Sequence, residues 1–257
     1  MLVCGGLIVG MVDAHLRGRT ALISGASSGI GAATARVLAA DGADVVLAAR
    51  RESRLQALAT DLESAHDAET LVVPTDVRES EQVATLVDRA VERFDGLDIV
   101  VVNAGLARGG DIAEMTDEEY DAMQRTNTDG AFYLAREALS HVTEAAGHLV
   151  FVGSFAGEYP RPYNPVYAAT KWWLRGFAKS LSAQVGDSGA GVSIVNPAAV
   201  RTEFDIDGVP MADRYEAGEV VAPEEVAETV AFIARQAPSM AHEISLYERD
   251  KLTTLGN

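Results

Sequence analysis

Lysine is the scarce charge in this chain. Of 21 basic residues only Lys171, Lys179 and Lys251 are lysine, and the rest are arginine. Acids outnumber bases 38 to 21, which leaves a net charge of −17. A surface of that sign repels phosphate backbones and anionic headgroups, so neither nucleic acid nor membrane is expected as a partner. High acid content with so little lysine resembles proteins of salt-rich cytoplasm, where counterions screen the self-repulsion, and a salt-adapted source is expected. The one cysteine, Cys4, excludes an internal disulfide and a thiolate metal cluster. Five scattered histidines (His15, His66, His141, His148, His242) do not form a ligand pattern, so no metal is expected.

Spanning hydrophobic runs are also missing. The apolar opening MLVCGGLIVGMV is too short for a bilayer, and no positive residue precedes it as a secretory signal requires. Met11 stands ahead of a polar lead-in, so residues 1–10 are expected to be a frayed extension or to precede the true start. A cytoplasmic protein is expected. Repeats, low-complexity tracts and linkers are lacking, and residues 11–257 are expected to form one domain, a routine size for a large α/β unit.

What is present is an alternation. Short apolar runs occur at 20–24, 44–49, 70–73, 98–102, 148–153, 192–195 and 243–247, and amphipathic stretches lie between most of them. AATARVLAADG closes on Gly42; SEQVATLVDRAVERFDG opens at Ser80 and closes on Gly96. Near-continuous apolar strands joined by helices predict a doubly wound parallel sheet of about seven strands, with ligands at its carboxyl edge.

Directly after the first strand stands SGASSGIG, residues 24–31. Gly25, Gly29 and Gly31 between a strand and a helix let backbone N–H groups approach a pyrophosphate, although the spacing differs from G-x-G-x-x-G. At the end of the second strand, where an NAD site places a carboxylate, the chain has Ala49, Arg50 and Arg51. A guanidinium grips a 2′-phosphate that a carboxylate would repel, so NADP(H) is expected in preference to NAD(H). Arg51 can equally be read as a solvated charge opening the next helix.

SGASSGIG, NAG at 103–105 and YAATK at 167–171 together resemble the single-domain short-chain dehydrogenase/reductases, over roughly residues 18–250. That resemblance implies a Rossmann fold and a cofactor site built from Gly25, Ser27, Ser28, Gly29, Ile30, Gly31, Arg50 and Arg51. It implies further contacts from Asp76 and Val77, Asn103, Ala104 and Gly105, then Tyr167, Lys171, Pro197, Val200 and Thr202. Asn127, Ser154, Tyr167 and Lys171 match the family's catalytic four, and a homodimer or homotetramer is implied. Two departures stand out: Ser24 replaces the usual threonine, and NPA at 196–198 replaces N-P-G, which puts the backbone path beneath the nicotinamide in question.

Residues four apart share a helix face, so Tyr167 and Lys171 are expected to point into one site, with the ammonium and the positive nicotinamide of the oxidised cofactor both lowering the phenol pKa. In the expected cycle NADPH reduces a carbonyl, Tyr167 supplies the proton, Ser154 bonds the same oxygen, and Asn127 holds a water that refills the proton through Lys171. Of Trp172 and Trp173, one is expected to pack inside and the other to face a second subunit. Substrate choice is assigned to 155–165 and 203–220, the latter resembling a lid; Arg108 and Arg161 can receive a carboxylate or an acyl-carrier phosphate, or pair with surface acids. Two other functions share these features: a non-catalytic NADP(H)-binding regulator, and a sugar-nucleotide epimerase or dehydratase. The first has no need to keep Ser154, Tyr167 and Lys171; the second usually carries a longer C-terminal part.

Overall fold

The computed structural model describes residues 15–206 and 208–256, so the expectation for residues 1–10 lies outside it. Seven parallel strands form one sheet in the order β3-β2-β1-β4-β5-β6-β9. They are β1 (Thr20–Ser24), β2 (Asp44–Ala49), β3 (Thr70–Pro74), β4 (Ile99–Val102), β5 (His148–Val152), β6 (Gly191–Pro197) and β9 (Glu243–Leu246). A two-stranded antiparallel pair, β7 (Asp205–Ile206) with β8 (Val209–Pro210), stands apart inside the segment expected to be a lid.

The central strands are apolar at nearly every position because both faces of the sheet are covered. On one side α1 (Gly29–Ala40), α2 (Glu52–Ala65) and α8 (Pro223–Ala234) pack around Ile23, Leu38, Leu47, Leu55 and Val230. On the other, α3 (Ser80–Phe94), α5 (Gly130–Glu144) and α6 (Pro165–Val185) enclose Leu22, Leu86, Leu134, Phe151 and Leu181. The strand order reverses between β1 and β4, so the connections leaving their carboxyl ends run to opposite faces and open the crevice in which doubly wound folds bind ligands.

Two local details depart from the sequence reading. The helix α3 opens at Ser80 as expected, but the chain leaves it at Asp95, whose φ of 60° precedes Gly96. Before α5 lies α4 (Asp117–Gln124), and the two are joined by a π-helical turn over Arg125–Asp129. Such wide turns bulge a helix and re-aim its side chains; this one carries Asn127. A four-residue α7 (Met211–Arg214) follows β8. No helix among the described residues is long and apolar enough to cross a membrane.

Candidate active site

A cavity of about 770 Å³ opens at the carboxyl edge of the sheet. Its floor at one end is the turn between β1 and α1. Ser24 anchors it: the hydroxyl donates to the Val101 carbonyl at 3.2 Å and accepts from the N–H groups of Asn103 and Ala104 at 3.0 and 3.1 Å. The serine therefore retains the hydroxyl function that a threonine would provide. Gly25 has a φ of 69°, and a Cβ there would meet Asn103 Nδ2 at 2.8 Å. Gly31 does not line the cavity; a Cβ on it would lie 2.3 Å from the Gly25 carbonyl oxygen, so its smallness lets the helix approach the turn.

Above this turn, Arg51 reaches across. Its Nε donates to Ser27 Oγ at 3.0 Å, Nη2 to Ser28 Oγ at 2.6 Å, and Nη1 to Glu203 at 3.1 Å. The sequence left Arg51 open between a surface charge and a ligand group; its side chain folds over the glycine turn. Arg50 also lines the cavity, and its charge helps hold the Asp76 carboxyl low. The main cause of that lowering is Arg78, which grips Asp76 through Nε at 2.9 Å and Nη2 at 2.5 Å. Val77, Ser27, Ser28, Gly29, Ile30, Asn103, Ala104 and Gly105 all face the same space.

At the other end stand Ser154, Tyr167 and Lys171. Asn164 caps α6 by accepting the Tyr167 N–H at 3.0 Å, and its Nδ2 donates to the carbonyls of Arg108 and Gly109 at 3.2 and 3.0 Å. Pro165 opens the helix, and the four-residue step puts Lys171 on the tyrosine's face. Lys171 is only 6% exposed, and its Nζ donates to the Val152 carbonyl at 3.0 Å.

The electrostatics correct one expectation. Burial raises the Tyr167 hydroxyl above the ordinary phenol value, while a hydrogen bond with Ser154 and the charge of Arg161 pull it back. Lys171 is not what lowers it: burial brings the lysine itself down to about 8, and its Nζ lies 5.9 Å from the tyrosine ring centroid. Burial penalises phenolate and ammonium together, which is why the pair does not behave as a simple acid beside a fixed cation.

Asn127 borders Gly105 from the same side as the Lys171 amine. It is 2% exposed and stands behind the cavity wall. Its Oδ1 accepts the Leu106 N–H at 2.9 Å, and its Nδ2 donates to the Leu106 carbonyl at 2.8 Å and to Thr170 Oγ1 at 3.1 Å. The amide thus holds the strand-end loop to α6. Pro197, Val200 and Thr202 complete the wall. Ala198, where glycine was usual, needs no left-handed backbone, since Asp95 and Ala146 are the non-glycine residues of positive φ among those described.

Neither Trp172 nor Trp173 packs inside as one was expected to. They are 46% and 40% exposed, because both fall on the outer half of α6, where Trp173 stacks on Phe177. Glu203 and Phe204 line the cavity from the segment assigned to substrate choice, and Lys251, which the sequence reading gave no site role, lines it too. Glu203 follows Thr202 directly, and Lys251 is one of three lysines, so both carried a signal.

A family model for short chain dehydrogenases matches residues 19–211. The chain is a member of the short-chain dehydrogenase family. It is 34% identical over 222 residues to an uncharacterized oxidoreductase of Staphylococcus aureus, covering 86% of this chain and 93% of that one. A probable tetrahydroxynaphthalene reductase of Zymoseptoria tritici is 35% identical over 191 residues, 74% of this chain and 71% of its own. Among solved structures, an alcohol dehydrogenase from the archaeon Thermococcus sibiricus, complexed with 5-hydroxy-NADP, superposes with a TM-score of 0.84 at 29% identity, covering 90% of this chain and 97% of its own.

Proposed function

We propose that this short-chain dehydrogenase interconverts a carbonyl and a secondary alcohol with NADP(H), with Tyr167 as the proton-transferring group. One observation carries the reading: Ser154, Tyr167 and Lys171 line the same cavity as the glycine turn and the Arg50–Arg51 pair. The names of the relatives as oxidoreductase and reductase, and the nicotinamide ligand of the Thermococcus structure, support it.

The residues present fit a dinucleotide. Arg51 with Ser27 and Ser28 forms a donor set suited to a phosphate on the adenosine ribose. A carboxylate in place of Arg50 or Arg51 would favour a free ribose hydroxyl; none stands there. When bound, the nicotinamide supplies hydride chemistry that no side chain can perform.

The chain's own residues handle the proton. A raised pKa keeps Tyr167 in its hydroxyl form at neutral pH, the form that donates a proton to a carbonyl oxygen becoming an alkoxide. Ser154 lines the same end of the cavity as Tyr167 and can donate to the same oxygen, which stabilises charge as it develops. Lys171, buried and held by the Val152 carbonyl, keeps a compact donor beside the tyrosine where a guanidinium's planar fork would not fit. Asn127 positions the Gly105–Leu106 stretch of the wall. The same reading includes a homodimer or homotetramer, supported by the exposure of Trp172 and Trp173.

NADPH consumption measured against keto acids, oxoacyl thioesters, sugars and secondary-alcohol ketones tests this function. Turnover of a carbonyl class with NADPH supports it, and cofactor binding without any turnover would leave the regulator reading in its place.

A further inference from the structure

The arginines around the cavity differ in how their charge is used. Arg51 pairs with Glu203 at 3.1 Å, and Arg108 pairs with Asp205 at 2.8 Å. Arg108 was the equal of Arg161 in the sequence, but its guanidinium is already neutralised. Arg161 differs: no carboxylate among the described residues stands within ion-pair distance of it. In a chain of net charge −17, an arginine facing a cavity without an acid partner is an uncommon use of positive charge.

What holds Arg161 is aromatic. Its guanidinium lies 4.8 Å from the Phe155 ring centroid and 5.5 Å from that of Tyr163, and Nη1 donates to the Tyr163 hydroxyl. Phe155 is 2% exposed and is fixed by a stacked Tyr159 at 4.5 Å and an edge-on Tyr247 at 5.2 Å. Stacking orients a guanidinium without consuming its N–H donors, and it leaves most of the charge available. That charge is felt at Tyr167, so the guanidinium and the proposed proton donor share one end of the cavity. Lys251, paired with Glu248 at 3.7 Å, lies on the same side with its Nζ 5.4 Å from the Phe155 ring.

We propose that Arg161 receives the carboxylate of the substrate, which makes the substrate class an oxo acid and the product the matching hydroxy acid. This rests on the reductase reading given above. A planar carboxylate takes two parallel N–H bonds from a guanidinium, and an anchored acid would place its carbonyl toward Tyr167 in a fixed orientation.

The test compares 2-, 3- and 4-oxo acids, each beside its own methyl ester, with saturating NADPH on the wild type, Arg161→Gln and Arg161→Lys. In the wild type kcat/KM for the favoured acid should exceed that for its ester by roughly tenfold or more. Arg161→Gln should lower the acid's kcat/KM by roughly 10- to 100-fold more than the ester's, the difference lying chiefly in KM. Arg161→Lys should recover part of the loss. Equal losses on acid and ester, or a wild type indifferent to the charge, would overturn the assignment. Failure to reduce any acid or ester would instead count against the reductase reading. A second arm judges Arg161 without turnover: the matching hydroxy acids are titrated calorimetrically into the NADP-loaded protein. Binding that disappears in Arg161→Gln supports the assignment, and binding that persists there, or is absent from the wild type, contradicts it.

Discussion

Glu203 lies 3.1 Å from Arg51 Nη1, across the mouth of the cavity from the glycine turn. Arg54 joins the same carboxylate at 2.5 Å. The acid that follows Thr202 thus occupies the guanidinium proposed to receive the ribose phosphate. Both partners are about half exposed, so the pair is screened and is worth only about 0.2–1 kcal/mol. Glu203→Gln should therefore tighten NADPH by no more than roughly fivefold, and Arg51→Ala should weaken NADPH while leaving NADH nearly unchanged. Fluorescence titration of both cofactors against both variants checks this. Equal effects on NADPH and NADH would show that Arg51 does not meet the phosphate.

His148 predicts a specific acid weakness. Burial brings it from the ordinary 6.5 down to about 4. Between those values the unfolded chain binds a proton that the folded chain refuses, so stability falls as pH drops through that window. The full effect is about 3 kcal/mol. Glu243 does not overlap most of it: burial would raise that acid, but hydrogen bonds from Arg175 and Lys179 hold it at about 2, so its contribution is lost only at lower pH. Urea midpoints at pH 7 and pH 5 should differ in the wild type and nearly coincide in His148→Gln. A variant with the wild-type pH dependence would place the acid sensitivity elsewhere.

The charge balance makes a third expectation. With net charge −17, self-repulsion opposes the compact state, and counterions relieve it. Raising KCl from low to molar concentration should add at least about 1 kcal/mol, seen as a rise in Tm of roughly 2–4 °C. A flat or falling Tm would mean that the ion pairs lost to screening, such as Arg36–Asp61 and Arg17–Asp67, outweigh the repulsion relieved.

The sheet was legible because its strands are apolar on both faces and its helices carry periodic stripes, so period and length alone located all seven runs to within a residue or two. The glycine turn and the Tyr167–Lys171 spacing were legible for a similar reason: each requirement is local. Relationships across the chain were not. Nothing near Arg51 in sequence announces Glu203, which lies 152 residues away. The buried state of Asn127 depends on a π-helical turn that no simple periodicity signals. Sequence spacing placed Lys171 beside Tyr167, but the burial that raises one pKa and lowers the other is a property of the packed site. Trp172 and Trp173 were misplaced because adjacent helical residues point only about 100° apart, so one outward-facing arc can hold both.

The proposed reaction turns on Tyr167 moving the proton. Pre-steady-state NADPH oxidation by the wild type and by Tyr167→Phe, at equal cofactor occupancy and with the best carbonyl substrate, measures that step directly. The phenylalanine keeps the ring and removes the hydroxyl, so NADPH binding should be unchanged and the oxidation rate should fall by roughly 10²–10⁴-fold. Retention of the wild-type rate with cofactor bound would contradict the claim.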